Sequence, residues 1–273
     1  MDNRYDLHTH TKKSDGTHTP QELLYLAKES GLQGISITDH DTTDAYTKDL
    51  FLLAEKLRLK LFTGVEITAH HRCLNVHILA YGFDVKDRSF QEFLSSVREK
   101  RAARNEQIFA YLQTRGVSIT MQDFEKKGLA SSSVIGRLHI AEVLREKKYV
   151  SSLQEAFLRY LDDRARPWEK SPKFAANEVI EAIHQAGGKA VLAHPFFLKE
   201  GLTLQELLGM DFDGIEARYA NIPAKVEKRW QKLGQKKSWI ITGGSDFHGE
   251  VKPEVSLGAS WSPETTIQAL FYT

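Results

Sequence analysis

The sequence has little cysteine, almost no net charge and no long hydrophobic run. Cys73 is the single cysteine among 273 residues, so an internal disulfide is excluded and a reducing compartment, the cytoplasm, is expected. The 37 Lys and Arg residues against 36 Asp and Glu give a formal charge of +1, which excludes a protein that binds nucleic acid through bulk positive charge. No run of about 18 apolar residues occurs, and the first residues lack an apolar stretch, so neither a membrane span nor an export signal is expected.

What the sequence does contain is an alternation of strand and helix patterns. Alternating residues at 4–10 predict a strand, and Thr19-Pro20-Gln21-Glu22 then predicts a capped helix with proline at its first position. Further strands are predicted at residues 34–38, 60–66, 75–81, 189–194, 214–217 and 239–242, and further helices at 45–57, 177–186 and 223–233. This order predicts parallel strands with crossover helices, as a barrel or an open sheet.

Residues 88–170 break this alternation, because their patterns predict helices only. The first helix is expected to be capped at Ser89 and to end at Gly116. This segment carries 16 Lys and Arg against 11 Asp and Glu, a net charge of +5, whereas the remaining residues carry 21 against 25, a net charge of −4. We therefore predict a basic helical insertion, residues 88–170, in an acidic barrel domain of residues 1–87 and 171–273.

Residue types that bind metals occur in or just after the predicted strands. They are six histidines and three carboxylates: His8, His10, Asp15, His40, Glu66, His77, His194, Asp246 and His248. Any one of these residues alone would be better explained as an ordinary core or surface residue. Because the carboxyl ends of successive parallel strands meet on one rim of a barrel, the nine together predict a metal centre on that rim.

The motifs that contain these residues resemble those of the PHP (polymerase and histidinol phosphatase) family of metal-dependent phosphoesterases. The matching motifs are His8-Thr9-His10, Ser14-Asp15-Gly16, Thr38-Asp39-His40-Asp41, Gly64-Val65-Glu66, His77, Ala193-His194-Pro195 and Gly243-Gly244-Ser245-Asp246-Phe247-His248. The resemblance implies an α/β fold, a distorted (β/α)7 barrel with an inserted helical subdomain. It also implies three sets of metal ligands, namely His8, His10, Glu66 and Asp246, then Asp15, His40 and His248, and then Glu66 again with His77 and His194.

Such ligands point to hydrolysis that depends on two or three divalent metals. Imidazole and carboxylate without thiolate suit Mn²⁺, which is expected first, with Fe²⁺ or Zn²⁺ as alternatives. Metals about 3.5–4 Å apart can bind a phosphate and hold a hydroxide that attacks phosphorus in line. The expected nucleophile is therefore this metal-bound hydroxide, held by the metal ligands, and no nucleophilic side chain is needed. Asp39 or Asp41 could orient a histidine ligand, and Glu216 could either do the same or be structural.

The helical insertion and its motif Gly136-Arg137-Leu138-His139 resemble one PHP subfamily. Its members remove the 3′-phosphate from nucleoside 3′,5′-bisphosphates and trim RNA in the 5′ to 3′ direction. The resemblance implies that Arg137 contacts a substrate phosphate, and His139 is a second candidate for substrate binding. The expected substrate is a nucleotide bisphosphate or a short 5′-phosphorylated RNA, with no membrane and no obligate protein partner.

Two other functions stay open at this level. A phosphomonoesterase for a small metabolite such as histidinol phosphate would use the same metals, and an inert metal-binding module would keep the ligands without turnover. The helical insertion argues against the first, and the complete ligand set argues against the second. Trp168, in a segment that departs from the subfamily pattern, could stack on a base.

Overall fold

The computed structural model describes residues 3–126, 129, 135–162 and 173–272. The chain forms two compact units, one made of residues 1–95 and 174–273 and the other of residues 96–173. We call the first the barrel unit and the second the helical unit. The insertion predicted for residues 88–170 overlaps the helical unit, whereas Trp168 lies outside the described residues.

Seven strands form the sheet of the barrel unit, hydrogen-bonded in the order β1 to β7. They are β1 (Tyr5–Asp6), β2 (Gly34–Ile37), β3 (Lys60–His71), β4 (Leu74–Tyr81), β5 (Lys189–Leu192), β6 (Gly214–Tyr219) and β7 (Ile240–Gly244). Near the two edges, the Leu7 N–H donates to the Gly243 carbonyl at 3.4 Å and the His10 N–H donates to the Phe247 carbonyl at 2.9 Å. The sheet therefore nearly closes on itself, and the predicted α/β barrel is confirmed.

One strand departs from the parallel arrangement predicted from the alternation of strands and helices. β4 is antiparallel to both β3 and β5, while the other neighbouring strands pair in parallel. Only Arg72 and Cys73 join β3 to β4, which is too short for the crossover that parallel strands need. Arg72 has a φ of 51°, so this hairpin turns without the glycine that usually marks one in a sequence.

Helices accompany the strands of the barrel unit, and those at residues 202–207 and 264–271 were not predicted from the sequence. They are α1 (Pro20–Glu29), α2 (Lys48–Leu57), α7 (Ala176–Gln185), α8 (Leu202–Leu207), α9 (Ala224–Lys236) and α10 (Glu264–Phe271). The predicted cap of α1 is present, because the Thr19 hydroxyl accepts from the Glu22 N–H at 3.2 Å and the Glu22 carboxylate accepts from the Thr19 N–H at 2.7 Å. This reciprocal cap fixes where the first crossover begins.

The helical unit has its own apolar core. The helices are α3 (Arg88–Thr114), which begins in the barrel unit, α4 (Met121–Glu125), α5 (Arg137–Glu146) and α6 (Leu153–Ala156), followed by a π-helical turn (Phe157–Leu161). The cap of α3 is Asp87 rather than Ser89, since its carboxylate accepts from the Phe90 N–H at 2.7 Å. Leu112, Ile140 and Leu144 are fully buried in the core of this unit. In the described part of the chain, no helix combines the length and the apolarity that crossing a membrane requires.

Candidate metal centre

All seven strands of the barrel unit contribute to one polar cluster. In the order β1 to β7, the strands and the segments that follow them supply His8 and His10, His40, Glu66, His77, His194, Glu216, and Asp246 with His248. Asp15 comes from the turn between β1 and α1. Apolar residues of these strands, such as Ile35, Val65 and Val191, are fully buried, so the strands hold these polar side chains on a rigid frame.

Glu66 is the centre of the cluster, with imidazoles facing both of its carboxylate oxygens. Its Oε2 atom faces three ring nitrogens, which are His8 Nε2 at 3.3 Å, His10 Nε2 at 3.2 Å and His40 Nδ1 at 3.2 Å. Its Oε1 atom lies 2.8 Å from His77 Nδ1 and 2.9 Å from His194 Nε2. Five histidines from four different parts of the chain thus converge on one carboxylate, which is only 1% exposed.

Asp246 and Asp15 face some of these imidazoles as well, and Asp15 adds His248 to the cluster. Asp246 Oδ1 lies 3.3 Å from His8 Nε2 and 3.1 Å from His10 Nε2. Asp15 lies 3.3 Å from His248 Nε2 and 3.6 Å from His40 Nε2. The nine residues predicted as ligands are therefore brought together in one place.

The ligand atoms form three groups, within each of which the atoms lie no more than 4.8 Å apart. The groups are His8, His10, Glu66 and Asp246, then His10, Asp15, His40 and His248, and then His40, Glu66 and His77. The first equals a set implied by the family resemblance. The second adds His10 to the implied set, and in the third His40 takes the place of His194, which contacts the cluster through Glu66 Oε1.

The donor atoms of the cluster fit divalent metals. His8 Nε2, His10 Nε2 and His40 Nδ1 are buried and have no hydrogen-bond partner in the described structure, although each faces a carboxylate. A buried polar atom without a partner costs free energy, about 1–3 kcal/mol for a typical group. Metal ions would satisfy these nitrogens, those of His8 and His10 in one group and that of His40 in another. Mixed imidazole and carboxylate donors are ligands of Mn²⁺, Fe²⁺ and Zn²⁺.

The electrostatics of the cluster follow from its buried carboxylates. Burial by itself lowers the pKa of His8, but the nearby Glu216, Glu66 and Asp246 carboxylates outweigh burial and raise this pKa well above its usual value. The pKa of His10 is raised to about 9, because its contacts with Asp246 and Glu66 likewise outweigh burial. Without a metal, the carboxylates therefore draw protons onto these imidazoles, and a metal ion would take the place of those protons.

Glu216 contacts and orients two of the candidate ligands, His8 and His194. Its side chain is fully buried, and its Oε1 atom lies 2.8 Å from His8 Nδ1, the nitrogen that faces away from Glu66. Its Oε2 atom accepts from the backbone N–H of His194 at 2.9 Å. A carboxylate on the second nitrogen of a metal-binding histidine fixes the tautomer and the ring orientation.

Tyr219 and Lys252, which sequence reasoning missed, hold Asp246 in a similar way. The Tyr219 hydroxyl and the Lys252 ammonium both donate to Asp246 Oδ2, each at 2.6 Å. Asp246 Oδ1 is left facing His8 and His10. Burial by itself raises the pKa of Asp246. The positive charge of Lys252 and the nearby histidines outweigh burial and hold this pKa well below its usual value.

Asp39 and Asp41 orient loops, since their closest hydrogen bonds go to backbone and hydroxyl groups. Asp39 accepts from the Thr11 N–H at 2.7 Å and from the Ser14 hydroxyl at 2.6 Å, and Ser14 Oγ lies 3.4 Å from His10 Nδ1. Asp41 accepts from the Thr68 N–H at 2.7 Å. Asp39 therefore contacts His10 through the Ser14 hydroxyl. Burial raises the pKa of the Asp39 carboxyl, although the nearby His10 acts to lower it.

Unusual backbone conformations occur at two of the candidate ligands. His194 has a φ of 26° and Asp246 a φ of 55°, and residues other than glycine rarely adopt a positive φ. Gly244, two residues before Asp246, passes so close to β1 that an added Cβ would lie 2.4 Å from the Cβ of His8. Strain of this kind persists where the surrounding structure enforces it, and it is concentrated at functional sites.

The two predicted substrate-binding residues lie at the start of α5 in the helical unit. Arg137 is the first residue of this helix; its guanidinium donates to the Leu161 carbonyl at 3.4 Å and lies 6.0 Å from the centre of the Phe157 ring. His139 is 4% exposed, and its Nδ1 atom accepts from the Gly136 N–H at 3.1 Å. His139 therefore caps the helix, a role that the sequence did not indicate.

The PHP domain family model matches residues 6–166, more than half of the chain. The chain belongs to the PHP domain family. The matched segment contains six of the nine candidate ligands of this PHP domain protein, which are His8, His10, Asp15, His40, Glu66 and His77. The other three follow β5 and β7, where the structure brings them to the same cluster.

Known proteins similar to this PHP domain protein include two curated enzymes and one solved structure. The 5′-3′ exoribonuclease Rnm of Escherichia coli (strain K12) is 31% identical over 95% of this chain and 90% of its own length. A 3′,5′-nucleoside bisphosphate phosphatase of Chromobacterium violaceum is 29% identical over 89% of this chain and 86% of its own length. A crystal structure of a candidate metal-dependent phosphoesterase from Bifidobacterium adolescentis superposes with a TM-score of 0.86 at 29% identity, covering 97% and 94% of the two chains. These similarities confirm the predicted family and the predicted class of enzyme, a phosphoesterase.

Proposed function

We propose that this protein is a metal-dependent phosphoesterase that hydrolyses phosphate esters of nucleotides. The observation that carries the proposal is the convergence of five imidazoles on Glu66, with Asp15 and Asp246 on either side. Buried imidazole nitrogens without partners are unfavourable unless a cation binds them. Bound metal ions would relieve this cost, which supports metal chemistry at the cluster.

Two or three divalent ions would be held by the nine residues, with manganese as the first expectation and iron or zinc as alternatives. Glu66 would be shared between ions, because its two oxygens face different histidines. The bound ions would supply Lewis acidity to a phosphate and lower the pKa of water. Glu216 would keep His8 in one tautomer, and Lys252 would hold Asp246 so that Oδ1 faces the imidazoles.

The substrates we propose are nucleoside 3′,5′-bisphosphates, from which the 3′-phosphate is released, and RNA trimmed from its 5′ end. The similar proteins from Chromobacterium violaceum and Escherichia coli are named for these two activities. Both activities break the bond between phosphorus and the 3′ oxygen of a 5′-phosphorylated nucleoside, so one site can perform both. We expect such a substrate to meet this protein in the reducing cytoplasm, which suits its one exposed cysteine.

Arg137 is our candidate for binding the phosphate that is not cleaved. The metal cluster supplies carboxylates, and residues outside 88–170 have a net charge of −4, so a polyanionic substrate needs positive charge from elsewhere. Residues 88–170 have a net charge of +5. A guanidinium can bind two phosphate oxygens at once, which suits it to this role, and His139 would support it by capping the same helix.

A panel of three substrates tests the proposed function. Wild-type protein loaded with Mn²⁺ is incubated with adenosine 3′,5′-bisphosphate, a 5′-phosphorylated RNA oligomer and histidinol phosphate, and the released phosphate and nucleotides are measured. We expect turnover of the first or the second substrate, its loss with a chelator, and its loss in Asp246→Asn. Turnover of histidinol phosphate alone would contradict the nucleotide proposal, and no turnover of any of the three would favour an inert metal-binding module.

A further inference from the structure

Phe197 is a large apolar side chain left in water beside the metal centre. It is 67% exposed, although burying a phenyl ring would be favourable in free energy. Its ring centre lies 5.7 Å from that of His194 and 5.6 Å from that of Tyr219. These two neighbours are a candidate metal ligand and the residue whose hydroxyl holds Asp246.

The backbone holds Phe197 in this position. Pro195, which is buried, begins a 3-10 turn that ends at Phe197, and the Phe197 N–H donates to the His194 carbonyl at 3.1 Å. His194, with its unusual φ of 26°, immediately precedes this turn. Phe196 packs edge-on against both Phe197 and Tyr219, with ring centres 4.7 and 4.9 Å away. The exposed ring therefore belongs to a packed aromatic group, not to a free loop end.

We propose that Phe197 is a stacking platform for the nucleobase of the substrate. The proposal rests on the proposed function, since a nucleotide whose phosphate lies at the metal centre brings its base to the surroundings of that centre. Base faces stack on aromatic side chains whatever the base, so this contact adds affinity without base specificity. A flat, exposed ring that is fixed by its neighbours loses little conformational entropy when it binds.

Comparison of a substrate with a base and one without a base tests this proposal. Phe197→Ala should raise KM for adenosine 3′,5′-bisphosphate by about 5- to 100-fold, the range of base–aromatic stacking, with little change in kcat. KM for the matched abasic sugar bisphosphate should stay within about twofold. Phe197→Trp should restore the low KM, Phe197→Leu should not, and metal content should be unchanged in all three variants. Tyr25→Ala, which removes an exposed ring of α1, is the control for loss of a surface aromatic residue.

Three outcomes would overturn the stacking role. Equal loss on both substrates would mean that Phe197 supports His194 or Tyr219, and an unchanged KM with an altered oligomeric state would assign the ring to a protein contact. Wild-type protein that cleaves the abasic compound but no nucleoside phosphate would overturn the proposed function, and the stacking role with it. The first two outcomes leave the nucleotide phosphoesterase intact, so the two failures can be told apart.

Discussion

The barrel unit and the helical unit bury different kinds of residue. The barrel unit buries a dense set of charged and polar side chains around Glu66, whereas the buried polar residues described in the helical unit are Arg104, Asn105 and His139. Burying charged groups costs free energy, which pairing of imidazoles with carboxylates offsets in the barrel unit and which bound metal ions would offset further. The helical unit instead has an apolar core and overlaps the segment with net charge +5. The proposed metal chemistry thus belongs to the barrel unit, and the proposed contact of Arg137 with a substrate phosphate belongs to the helical unit.

The largest effect is expected from Glu66→Gln. This substitution keeps the shape of the side chain but removes the charge on which five histidines converge, so both metal content and turnover should fall to background. Elemental analysis and phosphate release measure the two quantities. His184→Ala is the control, because His184 pairs with Asp213 at 2.8 Å, outside the metal cluster.

Full metal content in Glu66→Gln would contradict the contrast drawn between the two units, because metal binding in the barrel unit would then not depend on the central carboxylate. Equal loss in His184→Ala would mean that any disturbed histidine of the barrel unit lowers activity. In either case, the assignment of the metal ligands would be wrong.

Glu216→Gln is expected to weaken metal binding by about 10- to 100-fold, the usual effect of removing a carboxylate that orients a histidine ligand. The change acts through His8 and through the His194 N–H, not through a direct ligand. Titration with Mn²⁺ against a competing chelator measures the affinity. Asp213→Asn, which changes a matched carboxylate–imidazole pair elsewhere in the barrel unit, should leave the affinity within about twofold.

Arg137→Ala tests whether the helical unit selects the substrate. Losing one charge-assisted contact to a phosphate costs about 1.5–3 kcal/mol, so kcat/KM for adenosine 3′,5′-bisphosphate should fall about 10- to 100-fold. Hydrolysis of p-nitrophenyl phosphate, which has no second phosphate, should change little. An equal fall in kcat/KM for both substrates would mean that Arg137 contacts the cleaved phosphate or supports the fold. The proposal that the helical unit binds the second phosphate would then be wrong.

Lys252→Met is expected to have the smallest effect, a loss of about tenfold in metal affinity, because Tyr219 still donates to Asp246 Oδ2. Lys252→Arg should recover most of this affinity, since it keeps a charged donor in the same place. Competition titrations of the three proteins make the comparison. Affinity that stays at the wild-type level in Lys252→Met would show that the Lys252 contact does not orient Asp246.

The nine candidate ligands could be predicted because each follows or lies in a strand with a recognisable apolar pattern. His8 and His10 alternate with Thr9, and His194 follows an unbroken apolar run, so the sequence alone indicates that these side chains meet on one rim. Their division into groups was implied only in part, because the family resemblance gives the group of His8, His10, Glu66 and Asp246 but not the place of His10 and His40 in the other two. His10 faces three carboxylates and His40 faces two, a property of the barrel rather than of any one motif.

The residues that hold the ligands were harder to predict, for a structural reason in β6. Glu216 and Tyr219 are three positions apart, which regular alternation would place on opposite faces of the sheet. An irregularity between Glu216 and Arg218 shifts the register against β7, so that both side chains contact the cluster. Lys252 comes from the segment after β7, where no periodic pattern relates it to Asp246.

The central claim is that the residues around Glu66 bind at least two divalent metals, and anomalous diffraction from crystals soaked in Mn²⁺ tests it most directly. We predict two or three anomalous peaks, each within coordination distance of at least three of the nine candidate ligands, and at least one within that distance of Glu66. Their number should fall in Glu66→Gln crystals treated in the same way. Fewer than two peaks in this cluster, in wild-type protein that hydrolyses nucleotide phosphates, would contradict the account.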